Sequence, residues 1–303
     1  MPGTTEDQSQ AEPSRKARGT WRQSLVVRWA TALVAIPIIL VFVWFGGWVA
    51  FAAALFIVAL CIYELHIMML HAGFHPIMPL SIALSLLFLV SAMFPQQRLI
   101  VLEFGVSAVL VVSFVGLFFR EKLEGAMVDW SLTLAIAIYV GWPMSFFLLL
   151  RGYTISALPG THGAWLFLPR GVWWLLVILL GVWGNDAAAF FTGHYFGRHR
   201  LSPRISPAKT WEGVAGGLVL SIAAALILTV KPLGVPWYLA LVLGGLICAA
   251  AVLGDLAESL IKRQTHVKDS GQIMPGHGGM LDRIDSMLFV VMVVYFFAAL
   301  VGI

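Results

Sequence analysis

The sequence predicts an all-α polytopic transmembrane helical bundle of about nine spans, and three observations carry that expectation. Hydrophobic residues make up 60% of the 303 residues and charged residues only 11%, against roughly 25% charged in ordinary soluble domains. The mean hydropathy is +0.91. The apolar residues come in runs of about 20, the length a helix needs to cross the hydrocarbon core, where irregular backbone would leave its polar groups unsatisfied.

The elements follow in order. Residues 1–24 are polar and rich in Ser, Glu, Gln and Arg, and read as a disordered cytoplasmic tail. The run after them lacks the small-residue cleavage site of a removable leader, so it is expected to remain as the first span. Spans are expected at approximately 27–46, 49–69, 78–94, 99–119, 131–150, 172–191, 214–230, 238–254 and 287–303. The first five carry few polar groups, which divides the chain into N-terminal transmembrane helices (25–170) and a C-terminal catalytic transmembrane region (171–303).

The formal net charge of +4 does not call for nucleic acid as a partner, because membrane proteins collect Lys and Arg on the cytoplasmic side. With the tail inside, most basic residues fall inside, among them Arg120, Arg198, Arg200, Lys209, Lys262, Arg263 and Arg283. Only Arg98, Arg151, Arg170 and Lys231 fall outside. Trp44, Trp48, Trp130, Trp173, Trp174 and Trp237 lie near expected span ends, as interfacial indoles do. Cys61 and Cys248 sit in apolar runs and read as small hydrophobes, not as a disulfide or a zinc site.

The chemistry concentrates in two stretches. From Gly254 to Ser286, Asp255, Glu258 and Ser259 share a helix face at i, i+3 and i+4, and Asp282 and Asp285 are three apart at the mouth of the last span. Hard divalent cations such as Mg²⁺ take a few carboxylates plus substrate phosphates, and in-line phosphoryl displacement commonly uses two metals, which leaves place for a second cation. Lys262, Arg263, Lys268, His277 and Arg283 lie between those carboxylates, with Asp269 and with Gly271, Gly276, Gly278 and Gly279. A glycine-rich turn lets backbone N–H groups approach phosphate oxygens, and cations neutralise charge on a leaving diphosphate. An ordinary positive-inside loop would explain the basic residues, but not acidic groups at both ends.

The second stretch runs from Asn185 to Gly213. Asp186 comes late in an apolar span, where a carboxylate is functional or bonds a neighbouring helix. Ser206, Lys209, Thr210 and Glu212 precede or open the seventh span. Lys209-Thr210 matches the end of a phosphate-binding loop, but the upstream glycines are absent and no strand is expected before it. Lys209 remains a good phosphate ligand. Glu64, near the end of the second span, is expected in a packing or polar-network role, and a functional role is as open as a structural one.

Ser259-Leu260-Ile261-Lys262-Arg263, Lys268-Asp269-Ser270-Gly271, Pro275-Gly276-His277-Gly278-Gly279 and Asp282-Arg283-Ile284-Asp285-Ser286 together closely resemble the signature of the phosphatidate cytidylyltransferase, or CDP-diacylglycerol synthase, family. Asp186, Gly193, Gly197, Ser206-Pro207 and Lys209-Thr210 with Glu212-Gly213 resemble its second block. The resemblance implies a dimeric, Mg²⁺-requiring enzyme of the bacterial inner membrane, its site facing the cytoplasm, that makes CDP-diacylglycerol and diphosphate from CTP and phosphatidic acid. It implies Asp255 and Asp282 as the chief metal ligands, Asp285 as a support for the metal or for Arg283, and His277 as a phosphate contact. A sister enzyme using CTP on another lipid alcohol or an isoprenoid phospholipid is the nearest rival. An ion-coupled transporter would hold its charges near the midplane, whereas these lie at the cytoplasmic helix ends.

Overall fold

A computed structural model describes residue 33 and residues 37–119, 123–152, 168–273 and 278–302. The tail, the start of the first span, Arg120 and His277 lie outside the described residues. Helix α1, described over residues 37–45, is followed by α2 (Gly47–His71), α3 (Met78–Met93), α4 (Arg98–Phe118), α5 (Ala126–Arg151) and α6 (Arg170–Phe196). A short antiparallel hairpin comes next, β1 (Arg200–Ser202) and β2 (Ser206–Thr210), and then α7 (Trp211–Leu233), α8 (Trp237–Gln264) and α9 (Leu281–Val301). Seven of these helices are long and apolar enough to cross a membrane; α3, at 16 residues, is shorter. The chain is an all-α multi-pass membrane protein.

Each expected span corresponds to a helix, but the helices outrun the hydropathy. The sequence ends its sixth and eighth spans at 191 and 254 and begins its last at 287, whereas α6 runs to Phe196, α8 runs to Gln264 and α9 starts at Leu281. Hydropathy marks where a helix leaves lipid, not where its backbone stops hydrogen bonding. The turns added to α8 and α9 carry Asp255, Glu258, Lys262, Arg263, Asp282, Arg283 and Asp285, and Lys262 pairs with both Glu258 and Asp282.

The hairpin is a correction to the expectation of helices and loops alone. Arg200 pairs with Thr210 and Ser202 with Ser206. A strand therefore does carry Lys209, although it belongs to an antiparallel hairpin with Pro207 on it, and a hairpin this short has edges enough to place one. Thr210 ends β2 and caps α7, its Oγ1 accepting from Gly213 N at 3.1 Å.

One apolar core joins α1, α2, α3, α5, α6, α7, α8 and α9, with Trp174, Phe146, Ile62, Leu243 and Leu281 among its fully buried side chains. Helix α4 stands apart: Ser113 and Leu117 are its buried residues, whereas Leu99, Phe104 and Val112 are exposed, as befits a helix solvated by lipid. At the end of the bundle remote from the hairpin, the Arg151 guanidinium donates to the carbonyls of Val43 and Trp44, closing the C-terminus of α1.

Candidate active site

Helix periodicity puts Asp255, Glu258, Ser259 and Lys262 on one face of α8, and Asp282 and Asp285 one turn apart on α9. The two faces meet because residue 254 has no side chain: a Cβ there would lie 2.6 Å from the Asp285 carbonyl oxygen and 2.9 Å from Ser286 Cα. Contact this close between the backbones brings carboxylate oxygens of Asp255, Glu258 and Asp285 within 4.8 Å of one another. Three carboxylates so placed repel strongly, and a cation among them relieves the repulsion.

Two lysines border the group. Lys209 Nζ, from β2, lies 2.7 Å from Asp255 Oδ2. Lys262 Nζ bridges Glu258 Oε2 at 2.7 Å and Asp282 Oδ1 at 2.8 Å. Ser259 Oγ donates to Asp255 Oδ1 at 3.3 Å. Glu258 is 1% exposed, and its Oε1 has no hydrogen-bond partner among the described residues. An all-carboxylate donor set with an unengaged buried oxygen suits a hard divalent ion such as Mg²⁺, not zinc or copper, which favour nitrogen and sulfur.

Asp282 is held differently. Its Oδ1 faces Lys262, and its Oδ2 accepts from Ser270 N at 3.1 Å and Gly279 N at 2.8 Å. The next two N–H groups, of Met280 and Leu281, donate at 2.8 Å each to the Glu64 carboxylate of α2. Backbone donors that the sequence offers to phosphate at Gly279 are therefore taken up by the protein's own carboxylates. Gly278, at φ 79°, is the described glycine of this turn that lines the open cavity with Gly271.

That cavity measures about 1420 Å³. Asp186, Lys209, Thr210, Asp255, Lys262, Asp269, Gly278, Asp282, Arg283 and Asp285, all singled out from sequence, line it together. Ser206, Glu212, Ser259, Arg263, Lys268 and Gly279 stand off its walls. Several of these build the surroundings. Glu212 accepts from Arg198 N and His199 N and meets His199 Nδ1 at 2.6 Å, fastening β1 to the start of α7. Arg263 Nε donates to Ile205 O at 3.2 Å, tying the hairpin to α8. Ser206 pairs across the hairpin, and Lys268 is exposed. Asn185 Nδ2 donates to Asp186 Oδ1 at 3.2 Å and steadies it at the cavity wall.

Three residues of the site escaped assignment from sequence. Glu258 was visible at i+3 from Asp255, and its i+4 spacing to Lys262 is the signal for a charged stripe running on into the cavity. Arg200 lines the cavity from β1, which hydropathy could not foresee. Glu64 lies 217 residues from Leu281, and no local pattern links them.

Comparison with known proteins bears on the same region. The profile of the cytidylyltransferase family matches residues 26–301. A Bacillus subtilis protein named phosphatidate cytidylyltransferase is 39% identical over 170 residues, 56% of this chain and 58% of that protein. The Haemophilus influenzae protein of that name is 42% identical over 125 residues, covering 39% and 43%. The Pseudomonas aeruginosa one is 37% identical over 201 residues, covering 60% and 72%. The chain thus spans about half the length of the first two relatives it matches. With the profile running from the first span to the end of α9, the chain belongs to the cytidylyltransferase family.

Proposed function

We propose that the protein transfers a cytidylyl group from CTP to phosphatidic acid, giving CDP-diacylglycerol and diphosphate for phospholipid biosynthesis. The observation that carries this reading is the gathering of Asp255, Glu258 and Asp285 with Lys209 and Lys262 in one cavity at a common end of membrane-spanning helices. The family and the names of the relatives support the substrates.

A phosphate monoester carries close to two negative charges at neutral pH, so phosphatidate needs no strong base before its oxygen attacks the α-phosphorus of CTP. The new P–O bond forms as the bond to the β-phosphate oxygen breaks, and diphosphate leaves. The protein's task is to hold two repelling anions in line. Asp255, Glu258 and Asp285 would hold Mg²⁺, which when bound supplies positive charge to the phosphates. Lys209 and Lys262 neutralise triphosphate oxygens at the two edges of the carboxylate group, and Arg200 and Arg283 do so from the cavity wall. Asp282 fixes Lys262 and the backbone at Ser270 and at Gly279. CTP is a cytoplasmic solute, so the cavity faces the cytoplasm, and phosphatidate enters from the inner leaflet of a bacterial inner membrane. A homodimer is part of the same proposal.

The test is transfer of label from α-³²P-CTP into lipid by the purified protein, with phosphatidic acid, dolichol-type alcohols and isoprenoid phospholipids supplied separately. Label entering lipid with phosphatidic acid is expected. Transfer only to another acceptor would make the protein a sister enzyme, and no transfer to any would sink the reading.

A further inference from the structure

Helix α9, which carries Asp282 and Asp285, begins without a cap of its own. Its N-cap residue, Met280, has helical angles, and no side-chain cap bond is made from that position. The first N–H groups of a helix have no partner within it and carry the positive end of its dipole. Here a carboxylate from another helix answers them. Glu64 Oε1 accepts from Met280 N and Oε2 from Leu281 N, both at 2.8 Å, and Ser270 Oγ donates to Oε2 at 3.2 Å.

Glu64 is 2% exposed on a helix that is otherwise apolar but for Tyr63, His66 and His71. A carboxylate there is costly unless charge-assisted hydrogen bonds surround it, and backbone N–H groups and one hydroxyl do so. The turn is shaped around it: a Cβ on Gly271 would come 2.7 Å from Glu64 Oε1, and a Cβ on Gly279 would come 2.7 Å from both carboxylate oxygens. The glycines that look from sequence like a phosphate-binding turn make room for this carboxylate.

We infer that Glu64 is a positioning residue: by capping α9 from α2, it sets where Asp282 and Asp285 stand relative to Asp255 and Glu258, and so holds the three-carboxylate group in shape for its cation. The inference rests on the metal reading proposed above. Leu281 is the residue before Asp282, and Asp285 is one turn further on, so a shift of the helix start moves both. The N-terminal helices thereby take part in the site, although the residues that line it come from α6, the hairpin, α7, α8, the turn and α9.

The experiment uses full-length protein in detergent with Mn²⁺ as the probe, free Mn²⁺ being read by electron paramagnetic resonance. Glu64→Gln keeps the shape but removes the charge and turns an amide towards N–H donors. Its Mn²⁺ dissociation constant is expected to rise about 10-fold or more, the scale of losing a support behind metal ligands. In label transfer, kcat should fall while the KM for CTP moves less than about threefold, because Lys209, held on β2 against Asp255 and not by α9, keeps its place. Glu64→Asp keeps the charge on a shorter arm and should recover part of both losses. A purely structural anchor would lower the unfolding temperature and leave Mn²⁺ affinity and kcat per folded molecule untouched. Wild-type affinity and kcat in folded Glu64→Gln overturn the inference; should that variant not fold, wild-type values in Glu64→Asp overturn it equally. A wild-type protein that binds no Mn²⁺ overturns the metal reading itself, and the inference with it.

Discussion

Glu258→Gln tests which carboxylates hold the proposed Mg²⁺. The change removes an ion pair with Lys262 at 2.7 Å, a Coulomb attraction of about 6 kcal/mol between full charges at an effective dielectric constant near 20. It also removes repulsion from Asp255 and Asp285, whose oxygens lie within 4.8 Å, at least about 3.5 kcal/mol each on the same scale. The two effects cancel to within a few kcal/mol, and Lys262 keeps Asp282 at 2.8 Å. The metal-free variant should therefore unfold near the wild-type temperature. With Mg²⁺ the two should part. At 100 times its dissociation constant a ligand stabilises by about 2.7 kcal/mol, and if loss of one ligand weakens binding about 100-fold, the gain drops to about 0.4 kcal/mol. For a chain of this size that is a shift of roughly 5 °C against less than about 1 °C. Thermal unfolding in detergent, with EDTA and with Mg²⁺, measures it, and label transfer should fall in parallel. A Mg²⁺-induced shift of wild-type size in Glu258→Gln would refute the donor set. If the shift were lost instead in Asp282→Asn, the metal would belong to the Asp255 and Asp282 pair implied by the family resemblance.

Other consequences follow from the same contacts. Asp282→Asn should fold yet lose at least about 100-fold in turnover, because Lys262 and the N–H groups of Ser270 and Gly279 lose their anion; near-normal turnover in label transfer would remove Asp282 from the machinery. Lys209→Ala leaves Asp255 without its ammonium partner, so Mn²⁺ should bind no more weakly while the KM for CTP rises about 10-fold; a rise in the lipid KM alone would assign Lys209 to the other substrate. Cysteines at Ser202 in the hairpin and Gln272 in the turn, with Cys61 and Cys248 replaced, should resist an impermeant thiol reagent in intact cells and react in inverted vesicles. Labelling of one from each side would mean that the hairpin and the turn face opposite compartments, which one shared cavity does not permit.

The sequence alone establishes the solvent of this protein and the family it belongs to. Runs of about 20 apolar residues have one stable answer in lipid, so the number and order of helices follow from local composition. The family signature likewise lies in contiguous stretches, and most of the residues it singles out line one cavity. Partnership across the bundle is another matter, because it depends on which helices touch and at what height. Gly254 reads as an unremarkable span end until α9 packs against it. Asp282 reads as a free ligand until Lys262 and two backbone N–H groups fill its oxygens, while Glu258, one turn from Asp255, joins the carboxylate group instead. Glu64 reads as an isolated charge in an apolar helix, because the N–H groups that need it belong to a helix end 217 residues away. Backbone groups carry no residue-specific mark in a sequence, so where a buried carboxylate finds its partners is decided only when the helices are packed.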